Sequence, residues 1–100
     1  MDKNKMPIQR CIAGEEISCF SDVELLAVLI GTGSKDCMVM ELAQKLLKDY
    51  GSPVRLYAAG LRELADEYGI GPAKAVKIKC AIEFGKRIIN DKNEFLEIWL

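Results

Sequence analysis

Two helical patterns meet at a corner too short to be a loop, and this corner constrains the chain most. Leu61-Arg62-Glu63-Leu64-Ala65-Asp66-Glu67-Tyr68 leads into Gly69-Ile70-Gly71-Pro72. Ala73-Lys74-Ala75-Val76-Lys77-Ile78-Lys79 then leads away towards Ile88. So tight a reversal needs positive φ, which glycine adopts without a Cβ clash. Gly69 and Gly71 supply it. Pro72 suits the first turn of the second helix, because its φ is already helical and its missing N–H would have no partner there. The N–H groups around Gly71, Ala73 and Lys74 then point out of a helix N-terminus. That end carries roughly +0.5 of an elementary charge, which suits it to a phosphate.

The spacing over residues 61–88 resembles the helix-hairpin-helix, a sequence-independent DNA-binding motif. Leu61 and Leu64 stand before the turn, Gly-Ile-Gly in it, and Ala75 with Ile78 after it. Glu67 departs from the motif, which usually has an apolar residue two before the first glycine. The resemblance implies phosphate contacts from the backbone of Gly69, Ile70, Gly71 and Ala73, with Lys74, Lys77 and Lys79 reaching neighbouring phosphates. The plainer alternative is a glycine turn joining two packed helices, with no ligand.

Charge is distributed in the motif's favour. The net formal charge is −1, which argues against a strongly basic nucleic-acid binder. Residues 72–88, however, carry Lys74, Lys77, Lys79, Lys86 and Arg87 against Glu83 alone. Both flanking stretches are net acidic. Positive charge is thus concentrated on the helix that begins at the candidate phosphate site. Lys86 and Arg87 near the far end complement the helix dipole. Lys74 opposes it unless an anion binds.

The rest of the chain reads as helices. Residues 1–6 are polar and frayed. A short helix spans 7–12, led by Pro7 and closed by Gly14, with Ile8, Cys11 and Ile12 on one face. Ser21-Asp22-Val23-Glu24 is a capping box, and Phe20 before it can staple onto Leu25. The helix 22–30 that follows is apolar on most sides, which predicts a buried central helix ended by Gly31. Asp36 caps a helix over 37–50, whose positions Val39, Leu42, Ala43, Leu46, Leu47 and Tyr50 follow the helical period. Gly51 ends it, and Ser52-Pro53 starts a short helix over 53–59. The last helix spans 72–90, with Ala75, Ile78, Ile82, Gly85 and Ile89 as its core stripe. Residues 91–100 form a tail or linker, apolar from Phe95 to Leu100. No stretch shows strand alternation. The fold class is therefore all-α: one domain over 1–90, a bundle of about five helices of the SAM or helix-hairpin-helix kind.

Several functions are excluded. The chain has no histidine, and its four cysteines show no CxxC spacing, so no metal site and no cofactor is expected. Reduced, mostly buried thiols are predicted. Cys37, at a predicted helix start, lacks a histidine to activate it. Gly31-Thr32-Gly33-Ser34-Lys35 falls short of a nucleotide-binding loop. The longest apolar run, from Leu25 to Ile30, cannot span a bilayer. No signal peptide is evident. A cytoplasmic, non-enzymatic protein with no catalytic residue is expected.

Three segments together are similar to the RadC family of bacterial proteins labelled as DNA-repair proteins. They are Phe20-Ser21-Asp22-Val23-Glu24-Leu25-Leu26-Ala27-Val28-Leu29-Ile30-Gly31-Thr32-Gly33, then Glu41-Leu42-Ala43 with Tyr50-Gly51-Ser52, and the Gly69-to-Ala75 hairpin. The resemblance covers about residues 7–88. It implies an N-terminal helical domain followed by a JAB/MPN-type metalloprotease-like domain, whose zinc-ligating histidines are absent here. The expected function is weak, non-specific DNA binding through backbone phosphates. The alternative is a degenerate hairpin serving as a scaffold. It would meet a protein partner, or the missing JAB/MPN-type domain, through residues 95–100.

Overall fold

Local chemistry sets most helix ends. The computed structural model describes residues 7–31, 33 and 38–99. Its helices are α1 (Pro7–Ile12), α2 (Asp22–Ile30), α3 (Val39–Tyr50), α4 (Pro53–Ala58), α5 (Leu61–Ala65), α6 (Gly71–Asn90) and α7 (Lys92–Trp99), with a 3-10 turn at Ile17–Cys19. There is no strand among the described residues, so the all-α class holds. Among the described residues, seven α-helices replace the expected five or so. The tail accounts for one of them: Asp91 Oδ1 accepts from the Glu94 N–H at 3.2 Å and starts α7.

The capping box forms as predicted. Ser21 Oγ accepts from the Glu24 N–H at 3.2 Å, and Glu24 Oε1 accepts from the Ser21 N–H at 2.9 Å. Gly31 and Gly51 end α2 and α3. Ser52 caps α4, accepting from the Arg55 N–H. The start of α3 differs. Met38 has extended backbone (φ −67°, ψ 152°), so the helix begins at Val39 and not at residue 37. The predicted Asp36 cap and Cys37 lie outside the described residues, as do residues 1–6 and most of the glycine loop.

The core joins α2, α3, α4, α5 and α6. Leu26, Ala27 and Ile30 meet Val39, Leu42, Ala43 and Leu46, and Leu56, Leu64, Ile70, Ala75 and Ile78 complete the cluster. Helix α2 packs against α1, α3 and α6, yet it is not buried all round, since Leu25 and Leu29 reach the surface. The apolar residues expected on one face of α1 are not buried: Ile8 is 48% and Ile12 82% exposed.

Helix α1 is held by charge instead. The Arg10 guanidinium lies over the Phe20 ring, 4.9 Å from its centroid. Arg10 donates to both carboxylate oxygens of Glu15, at 2.5 and 2.6 Å, and also to Glu24. All three side chains are largely buried. The thiol expectation needs correction too. Cys11, Cys19 and Cys80 are free, but Cys19 and Cys80 are exposed.

Helix α6 follows its predicted stripe only half way. Ala75 and Ile78 are buried and Ile82 is partly so, but Ile89 is 64% exposed. The helix outruns the core it packs on.

Candidate nucleic-acid interface

The corner between α5 and α6 is built from local turns. Helix α5 stops at Ala65, three residues before its predicted end at Tyr68. The Glu67 N–H bonds to the Leu64 carbonyl and the Ile70 N–H to the Glu67 carbonyl, both at 3.1 Å. These tight turns bring the chain to Gly69 (φ +81°) and Gly71 (φ +69°). No other residue type has positive φ among the described residues. Helix α6 begins at Gly71, with Pro72 in its first turn.

The predicted phosphate-binding residues divide into three groups. Ile70 is buried in the core, and its N–H is already taken, so it anchors the corner and offers no amide. Gly69, Gly71 and Ala73 lie at or near the surface, with Ala73 and Pro72 exposed. In a helix the first N–H groups have no carbonyl four residues back. With Ile70 bonded and Pro72 lacking a hydrogen, Gly71 and Ala73 supply the first-turn donors. A Cβ placed on Gly71 would meet open space. Lys74 crosses the corner, its Nζ donating to the Gly69 carbonyl at 3.3 Å. Lys77 is exposed one turn further on.

Lys79 is directed elsewhere. Its Nζ donates to the carbonyls of Tyr57 at 2.8 Å and Ala59 at 2.7 Å, and sits 5.4 Å from the Tyr57 ring centroid. It caps the C-terminal end of α4, where a cation complements the dipole. Glu67, the motif's odd residue, also has a structural partner. The Tyr50 hydroxyl donates to Glu67 Oε1 at 3.2 Å, latching the end of α3 to the corner. Burial, then the negative charges of Glu67 and Glu63, push the Tyr50 phenol up to about 12.

Three features escaped sequence reasoning: the Tyr50–Glu67 latch, the Lys79 cap and the Arg10 cluster. The Arg10 hydrogen bonds hold Glu15 below the usual carboxylate range. The Ser21 N–H, then Arg10, do the same for Glu24. Among the described residues no group of acidic, histidine or cysteine side chains could hold a metal. No helix there is long and apolar enough to cross a membrane.

These features define a small all-helical module with one surface corner, built on paired glycines, from which a long basic helix departs. Residues 1–76 match the UPF0758 N-terminal family, and the chain belongs to that family. It is 41% identical over 92 residues to a UPF0758 protein of Syntrophomonas wolfei, covering 91% of this chain and 39% of the relative. It is 47% identical over 75 residues to one of Lactococcus lactis, covering 75% and 32%. It is 43% identical over 86 residues to one of Geobacillus thermodenitrificans, covering 86% and 38%. The chain thus spans about two-fifths or less of the length of these relatives. No solved structure matches it.

Proposed function

We propose that this domain is a non-enzymatic DNA-binding module that grips the phosphate backbone with the α5–α6 corner. The observation that carries this reading is the exposed start of α6, where the Gly71 and Ala73 amides lie beside Lys74 and Lys77. In this reading the corner is a helix-hairpin-helix. One phosphate sits on the amides, and the two lysines contact its neighbours without reading bases. Lys79 serves the fold and makes no phosphate contact. In this reading the domain acts in the cytoplasm and serves DNA repair, the label carried by the RadC family it resembles. The same resemblance implies that the module precedes a JAB/MPN-type domain.

The test is titration with a short duplex at low salt, followed by backbone amide shifts. Shifts confined to residues 69–77 are expected. Affinity should fall with salt at about 0.9 log units per log unit for each neutralised phosphate. Lys74→Glu with Lys77→Glu should abolish binding and leave the fold intact. Equal binding by this variant would disprove the assignment.

Two observations favour a scaffold reading as the second choice. Glu67 is latched to Tyr50, which ties the corner into the domain. Leu96 and Ile98 of α7 stand exposed, as a partner-facing tail would. Absence of shifts at the corner on adding DNA would select this reading.

A further inference from the structure

Tyr68 stands at the tip of the α5–α6 corner. The Ile70 N–H closes a four-residue turn on the Glu67 carbonyl at 3.1 Å. Gly69, third in that turn, has φ +81°, as a type II turn requires. Tyr68 is the second residue of the turn and is 55% exposed. The turn is tied down at both ends. The Tyr50 hydroxyl donates to Glu67 on one side, and Ile70 is buried in the core on the other. An aromatic ring carried on a backbone fixed in this way loses little freedom when a flat partner stacks on it.

The charges around the turn indicate the partner. Lys74, which reaches the Gly69 carbonyl, and the exposed Lys77 lie on the α6 side. Glu63 and Asp66, both exposed, lie on the α5 side. One phosphate strand can follow the basic side alone. A second strand held beside it, as in a duplex, would approach the carboxylates as well and be repelled. Two amides and two lysines also neutralise few phosphates, so backbone contact by itself binds weakly. A base stacked on an aromatic ring strengthens binding about tenfold whatever its sequence. Only an unpaired base has its face free to do so.

We propose that Tyr68 is a stacking platform for an unpaired nucleobase, so that the preferred ligand of this corner is single-stranded DNA. The proposal rests on the phosphate-binding reading and names the class of DNA that reading leaves open.

Fluorescence anisotropy with one labelled oligonucleotide, alone and annealed to its complement, tests it at low salt. The parent should bind the single strand about tenfold more tightly than the duplex. Tyr68→Ala should lower single-strand affinity about tenfold and leave duplex affinity unchanged. Tyr68→Phe keeps the ring without the hydroxyl and should retain the preference. In the parent, the Tyr68 ring protons should shift upfield on adding the single strand and not on adding the duplex. Circular dichroism confirms that each variant is folded. Equal parental affinity for the two forms overturns the stacking proposal, as does a Tyr68→Ala variant weakened on both alike. The phosphate grip then still stands if Lys74→Glu with Lys77→Glu abolishes binding. A parent that binds neither form overturns both readings.

Discussion

Tyr50 shows how one hydroxyl can join parts of a chain that local sequence leaves unconnected. Its bond to Glu67 spans seventeen positions. Its phenol is pushed up to about 12, against an ordinary value of about 10. A proton bound more tightly in the folded state stabilises fully below the ordinary value, and that stability is lost as pH rises towards about 12. Tyr50→Phe should cost about 1 kcal/mol at neutral pH and should flatten this alkaline decline. Denaturant midpoints measured from pH 8 to 12 check both. Glu24 is the opposite case, a carboxyl held low by the Ser21 amide and Arg10. Its contribution is present above the ordinary glutamate value of about 4.3 and disappears as pH falls below it. Glu24→Gln should therefore lose stability at pH 7 and show a shallower acid transition than the parent. The Ser21–Glu24 bonds were legible in the sequence because their partners are three residues apart. The Tyr50–Glu67 and Arg10–Glu24 contacts were not, because each depends on two elements already being packed.

Among the elements, boundaries fixed by the chemistry of a single residue were read best, at starts and stops alike. Gly31 and Gly51 end their helices at the expected residues, because a glycine C-cap is a property of one position. The start of α3 was misplaced, and α5 proved three residues shorter than its pattern. Its C-terminal turn is drawn into the tight bonds around Glu67. The site itself was legible in part. The paired glycines and the proline-led helix lie as expected, while Ile70 and Lys79 are spent on packing and capping. The corner offers a clean test of backbone geometry. Gly71 has positive φ, yet nothing lies within 4 Å of an added Cβ. Gly71→Ala should therefore cost only the left-handed conformational penalty, about 1 kcal/mol, with no clash added. If its two-state unfolding free energy drops by several kcal/mol, the corner has a different backbone from the one described.

At the scale of the whole molecule, stability and length are unevenly matched. The radius of gyration is 14.6 Å, against about 13 Å for a compact domain of this size. The excess follows from α6, whose buried positions end at Ile78 although the helix continues to Asn90. Helix α7 follows after a non-helical Asp91 and touches α6. Core residues from Leu26 to Ile78 should therefore carry nearly all the cooperativity. Leu64 is fully buried although α5 is only five residues long. Leu64→Ala should cost about 3 kcal/mol, because the rest of its core cluster sits largely on longer helices that cannot collapse into the gap. Deleting residues 91–100 should shift the denaturant midpoint little. Amide exchange would separate the two regions directly. Protection near the global unfolding free energy is expected in α2, α3 and the first half of α6, with rapid exchange beyond Gly85. Strong protection of α7 at low protein concentration would mean that this helix folds back onto the core.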